Sequence, residues 1–377
     1  MRLILILCLT AICFAGYWEG FIEDDSLRAK IERNLIDSGE NRDNLERAIL
    51  RADNSIRKGV IFLIANSPAV NLVAYDTESL LSEVALAYTA REKYPWGKDA
   101  PIELFLHYVL PNQISQEELT YYRTYFAEEF EGFLDTIKTG SDAAIAINYW
   151  CGERVRFQQT QRQDQNVFHT LSSGYGRCEE MMIVYVSALR AAGIPARQAW
   201  TPYWAHSDNN HAWTELWADG EWHFAGSCEP KPSLNDAWFN TAATRAAVIM
   251  SSAFGVPGGD EILYRAQDKY AIINSTPHYI ENPAKLIVET ERESTDVFLS
   301  VFNFGALRPI MRINTGDSTS VEFVMGRGTY NIYAGDDSTF AQAVVETKYG
   351  ETTSLRLVPQ TAAKMGEQSF WLRYSAD

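Results

Sequence analysis

Residues 174–230 read GYGRCEEMMIVYVSALRAAGIPARQAWTPYWAHSDNNHAWTELWADGEWHFAGSCEP. The stretch opens on Cys178, preceded by Gly174 and Gly176, which let the backbone turn sharply. From Cys178 the spacing predicts a helix, with Met182, Tyr185, Val186 and Leu189 on one side. Gly193, with Pro195 two residues on, stops it. Strands follow. Residues 212–218 alternate, so that His211, Trp213, Glu215 and Trp217 share one face. Asp219-Gly220 reads as a two-residue hairpin turn, and residues 221–225 return. A helix that feeds antiparallel strands makes the middle of the chain mixed α and β.

Two residue types in this stretch carry chemistry. A thiol must ionise to act, and a free cysteine with a pKa of about 8.5 is mostly protonated at neutral pH. The N-terminus of a helix favours the anion through its dipole and unpaired N–H groups. The N–H of Cys178 would also point to where an oxyanion forms. His211 opens a strand after the polar loop that begins at His206, a place from which a base can reach the thiol. Each residue also has a purely structural reading. A lone cysteine often packs as a small hydrophobe, although Arg177, Glu179 and Glu180 argue against deep apolar burial here. A lone histidine at a strand edge is often a surface residue. Zinc held by Cys178, His206 and His211 would have three unevenly spaced ligands, a poor match to structural zinc spacings. Nothing calls for a metal or cofactor.

Outward from this stretch the composition changes. From about Ser26 to Lys138 apolar residues recur at helical steps, first Leu45, Ile49, Ala52, Ile56, Val60 and Leu63, later Leu119 through Phe126, Phe130 and Phe133 to Ile137. Ser141 and Asp142 can cap a further helix through Ile147 and Trp150. After residue 284 come short strand-like runs, among them LIVET, VFLSVFN, SVEFVM, TYNIYA and FWLRY, which suggest a β-sandwich. At the other end, Arg2 precedes an apolar run from Leu3 to Ala15, too short to span a membrane and suited to an export signal. A lipid anchor at Cys13 is the alternative, disfavoured by the bulky Ile12 before it. The expected layout is therefore a multidomain α+β chain: signal peptide 1–15, helical region 16–140, mixed core 141–275 and β-sandwich 276–377. Export implies a periplasmic, secreted or cell-surface protein.

A net charge of −16 without a basic cluster argues against nucleic acid and anionic membranes as partners. Cysteine arithmetic adds one expectation. The chain after the signal keeps Cys151, Cys178 and Cys228, so a functional Cys178 leaves the other two to pair in an oxidising compartment.

The run GYGRCEE, then ALRAAGIPAR, then NHAWTELWADGEWHF, resembles the transglutaminase-like superfamily, a papain-like cysteine enzyme fold. Its members share a G-x-C turn into a helix, R-x-x-GIPAR, and H-A-W-x-E leading into D-G-x-W. The resemblance implies Cys178 as nucleophile, His211 as base and acyl chemistry on an amide through a thioester. The expected substrate is a peptide, protein or peptidoglycan-like amide, cleaved by a cysteine protease or amidase. One position departs: where the superfamily places an orienting Asp, this chain has Gly226, followed by Ser227-Cys228-Glu229. On a regular strand Cys228 would face His211 and Glu229 would point away. A bulge at Gly226 would bring Glu229 round, which makes it the candidate third catalytic residue, with Asp208 and Asn209 as other orienters. The departure keeps open a non-catalytic surface binding protein on a degenerate core; separately, an amine-dependent cross-linker is a further alternative.

Overall fold

The computed structural model describes residues 18–161, 163–259, 261–335 and 340–359. The expected signal segment 1–15 and the run FWLRY at 370–374 lie outside the described residues. No described helix is long and apolar enough to cross a membrane.

Helix Cys178–Ala191 is the centre of the molecule. Every residue from Glu180 to Ala191 is buried, so it is covered on all sides, as a helix that is apolar all round must be. Strands Ala196–Thr201 and His211–Ala218 cover one side, and helices Gly140–Arg154 and Arg123–Glu129 cover others. Gly193 ends the segment with φ +76°, a left-handed conformation that suits glycine. The one carboxylate in this apolar stretch, Glu180, accepts the N–H groups of Arg177 (2.8 Å) and Gln165 (3.1 Å) and the Thr160 hydroxyl. It thereby satisfies an orphan donor of the first turn and ties loop 158–166 to it.

The strands form an antiparallel six-stranded sheet in the order Glu221–Ala225, His211–Ala218, Ala196–Thr201, Met250–Phe254, Tyr270–Asn274, Ile262–Ala266. Asp219-Gly220 makes the expected hairpin, with φ +53° and +101°. Its carboxylate has a second use. Asp219 accepts the first two N–H groups of helix Gly140–Arg154, at 3.0 Å each. The cap of that helix is thus Thr139, two residues earlier than Ser141, joined by Asp219 from a distant hairpin turn.

N-terminal to the sheet, short helices from Asp25–Asp37 to Ile102–Tyr108 share a second apolar core. The helix expected over 119–137 is shorter: only Arg123–Glu129 is helical. The chain turns after Glu129, with Gly132 at φ +74°; Tyr122 and Phe130 reach the core from either side of the helix, whereas Phe133 is exposed. Beyond residue 284 two sheets bury their apolar side chains in one cluster. One runs Ala306–Asn314, Asp296–Asn303, Gly328–Gly335, Phe340–Thr347; the other runs Ser320–Met325, Ala284–Glu289, Thr352–Arg356.

Arg197 and Glu215 are direct cross-strand partners in the middle of the six-stranded sheet, both fully buried and 2.7 Å apart. The second oxygen of Glu215 accepts the Tyr279 hydroxyl at 2.8 Å, and that hydroxyl accepts the Trp213 indole N–H at 2.8 Å. The Arg197 guanidinium lies 4.0 Å from the Trp222 ring centroid. Removing one member of such a pair strands a charge in low dielectric, at a cost of about 3–5 kcal/mol. Glu215→Ala should therefore lower unfolding stability in urea by about that much. The double variant Arg197→Met with Glu215→Leu should recover most of the loss.

Candidate active site

Cys178 opens the central helix and is half-buried. Its sulfur is faced by the backbone N–H of Ala212, the residue after His211, so the helix start meets the strand start across the thiol. Cys178, His211 and Glu229 all line one cavity of about 720 Å³. The two parts that the sequence separates by 33 positions are thus brought to one place.

The thiol is protonated at rest. Burial, and then the carboxylate of Glu179, push it up to about 12. Cys178 donates its S–H to Glu179 Oε2 at 3.1 Å, while Asn210 donates to Glu179 Oε1 at 3.1 Å. Glu179 therefore bridges the Cys178 thiol to the residue before His211. Backbone N–H groups of Ala212 and Glu179 favour the thiolate but do not outweigh these effects. The imidazole is neutral. Burial pulls His211 down to about 4, against a smaller upward pull from Glu179. The resting pair is thiol and imidazole, not thiolate and imidazolium.

Three rings hold the imidazole: Trp238 at 4.8 Å, Phe239 at 4.9 Å and Trp213 at 5.7 Å between centroids. Its Nε2 is buried, with no hydrogen-bond partner among the described residues. Glu229 comes to the cavity by a different route from a bulged strand. The strand ends at Ala225, and residues 226–229 form a turn closed by Glu229 N–H to Gly226 O at 3.3 Å, with Cys228 at φ +57°. The cross-strand register extrapolated past Ala225 does not hold, because the chain leaves the sheet there. The turn folds Glu229 back over Gly226, so that a Cβ added at 226 would lie 3.1 Å from Glu229 Oε2. The carboxylate of 229 thus borders the space that a side chain at 226 would enter. Its hydrogen bond is from Trp238 Nε1 at 2.8 Å. Asp208 accepts the Phe304 N–H at 2.7 Å, and Asn209 accepts the N–H of Asn210 at 2.9 Å.

Helix Gly140–Arg154 braces the 226–229 turn. Asn148 donates to Gly226 O at 2.8 Å, and Gly152 lies so close that a Cβ there would sit 3.0 Å from Cys228 O. Cys151 and Cys228, which the cysteine count left to pair, are buried thiols with their side chains in contact. Glu179, Trp238, Phe239 and Phe304 escaped the sequence reading. Glu179 looked like ordinary acid in a first helical turn. The signal for Trp238 was an aromatic pair, Trp238-Phe239, standing in a polar loop.

Residues 129–225 match the model of the transglutaminase-like superfamily. This part of the chain is transglutaminase-like. A solved structure of a candidate cysteine protease from Cytophaga hutchinsonii is similar at 13% identity, over 70% of this chain and 58% of that one, with a TM-score of 0.27. The chain thus spans less than two thirds of that protein. No curated protein matches the chain. Within the transglutaminase-like segment lie Cys178 and His211; Glu229 falls just past its end.

The protonation state can be tested directly. Cys151 and Cys228 are buried, so iodoacetamide at a folded core should reach Cys178. Its alkylation should keep rising with pH through the alkaline range, since only the thiolate reacts and the thiol sits at about 12. Glu179→Gln removes the charge and the anionic S–H acceptor, so the profile should shift to lower pH. An unmoved profile, read by peptide mass mapping, would mean that burial alone protonates Cys178.

Proposed function

We propose that this protein is an exported transglutaminase-like cysteine hydrolase of peptide or side-chain amides. The observation that carries the reading is the meeting of Cys178, at a helix N-terminus, with the His211–Ala212 strand start in one solvent-reachable cavity. The layout proposed with it is a helical region over 16–140, a catalytic core over 141–275 and a C-terminal β-sandwich over 276–377.

The steps follow from the groups present. Sulfur attacks the amide carbonyl carbon as the S–H proton passes to the neutral imidazole of His211. A resting neutral pair suits this general-base course better than a preformed ion pair. The carbonyl oxygen takes the negative charge, and the Ala212 N–H that faces the sulfur is available to it. The C–N bond breaks, the imidazolium gives its proton to the departing amine, and a thioester remains on Cys178. Water then loses a proton to His211 and attacks the thioester. The acid is released and the thiol is restored. In this scheme Trp213, Trp238 and Phe239 hold the ring in place. Glu229 assists through Trp238, whose indole N–H it accepts and whose ring packs on the imidazole.

A second reading is favoured by one observation: Gly226 stands where an Asp is expected, and the buried His211 Nε2 has no hydrogen-bond partner among the described residues. On it the cleft binds an amide-containing partner without turning it over. Losing the third group of such a triad costs orders of magnitude in rate without abolishing chemistry, so the hydrolase reading predicts slow turnover.

Incubation with a panel of glutamine-containing peptides, followed by intact-mass measurement, separates the readings. The hydrolase should accumulate a thioester adduct on Cys178 or release ammonia or cleaved peptide. Cys178→Ala should abolish both signals, and Glu229→Ala, which removes the acceptor that holds Trp238 against the imidazole, should slow turnover by about tenfold or more while sparing the fold. Product that persists in Cys178→Ala would sink the assignment. Added amine that replaces water in the product would favour cross-linking instead.

A further inference from the structure

The β-hairpin at 303–306 does not behave as a connecting turn. Asn303 pairs with Ala306, so Phe304-Gly305 is a two-residue loop, and both have positive φ, +48° and +72°. That is the type I′ geometry, for which Asn-Gly or Asp-Gly is the favoured pair. A phenylalanine there is sterically disfavoured, because its Cβ crowds the backbone when φ is positive. The side chain gains no burial in return: Phe304 is 56% exposed. A large apolar residue that is both strained and exposed points to a use outside folding.

Its position indicates the use. Phe304 lines the same cavity as Cys178 and His211, although it belongs to the C-terminal sheets. The hairpin is fastened to the loop before His211 by three hydrogen bonds. Buried Asn303 donates to the carbonyls of Trp204 and Ser207, each at 2.8 Å, and Asp208 accepts the Phe304 N–H at 2.7 Å. Those bonds hold the turn in register with the catalytic strand. Two further exposed aromatics line the same cavity from other segments, Phe157 at 61% and Trp238 at 63%. Single exposed aromatics are ordinary, but three converging from separate parts of the chain on one thiol give this otherwise mixed-polarity cavity an apolar, ring-lined portion open to a ligand.

We infer that Phe304, carried in by the C-terminal sheets, is a specificity-determining residue of the cleft, and that the substrate is a peptide with a large apolar side chain beside the reacting carboxamide. The inference rests on reading this cleft as the substrate site. It does not require that the bound amide be turned over.

Binding to an inert background tests it separately from catalysis. In Cys178→Ser, calorimetric titration compares two blocked peptides, N-acetyl-Phe-Gln-Gly-amide and N-acetyl-Gly-Gln-Gly-amide. Burying the phenyl group should make the first bind about tenfold tighter or more. Adding Phe304→Asn should bring that ratio close to one, whereas Phe304→Tyr should preserve it. Because asparagine suits positive φ, Phe304→Asn should melt at the same temperature or higher. A ratio near one in the Cys178→Ser parent overturns the inference, as does one that survives Phe304→Asn. A clear fall in melting temperature for Phe304→Asn also overturns it, since Phe304 would then serve the fold. Absence of binding by both peptides, with binding of tri-N-acetylglucosamine that Phe304→Asn abolishes, would replace the peptide by a sugar. Discrimination that holds in a protein that hydrolyses nothing would leave the inference standing and retire the hydrolase reading alone.

Discussion

The buried ion pair between Arg197 and Glu215 is the constraint on which the rest of the structure depends. Two charges in the middle of a sheet are tolerable only when each is fully paired. Glu215 meets that demand by gathering Arg197, Tyr279 and, through Tyr279, Trp213. Arg197 meets it with Glu215 and with the faces of Trp222 and Tyr108. These residues come from the helical region, the core sheet and the segment after it. The pair therefore holds three parts of the chain in one arrangement, and it does so on the strand that begins with His211. Trp213, held by Tyr279, is in turn one of the rings against the imidazole.

That arrangement gives the site an electrostatic character that a cysteine and a histidine alone do not imply. Helix start and backbone N–H groups favour a thiolate, while burial and Glu179 favour the thiol, and the second set prevails. The imidazole is likewise kept neutral by the aromatic walls that orient it. A site that rests uncharged is protected from adventitious oxidation and alkylation, because the reactive thiolate is scarce. Orientation by packing takes over part of what a hydrogen-bonded carboxylate does elsewhere. It fixes the plane of the ring without supplying a counter-charge to the imidazolium.

Much of this was legible before any coordinates. The thiol and the imidazole could be read because helix and strand periodicity are local, and Gly193, Pro195 and Asp219-Gly220 punctuate them clearly. The glutamate at 229 was legible as a candidate but not its route. A strand extrapolated past Ala225 puts it on the wrong face, and only the turn with Cys228 at φ +57° folds it back. The long helix expected over 119–137 failed for a related reason. Tyr122 and Phe130 reach the core from positions flanking a helix that stops at Glu129, so core spacing does not require a longer helix. Phe304 follows the strand run VFLSVFN, with no hint that its hairpin faces a cysteine more than a hundred positions earlier.

What the sequence by itself determined is the set of local elements and the two residues, Cys178 and His211, that the structure brings to one cavity. Periodicity, caps and turn residues act over a few positions and are written in order along the chain. The tertiary structure alone decided which distant groups surround that pair. It put Glu179 against the thiol, Trp238 and Phe239 against the imidazole, Glu229 over Gly226 and Phe304 at the cleft. Those contacts come from packing a fully buried helix against a sheet that is pinned by one ion pair. No spacing along the chain encodes that packing, because burial and pairing are satisfied by the whole molecule at once.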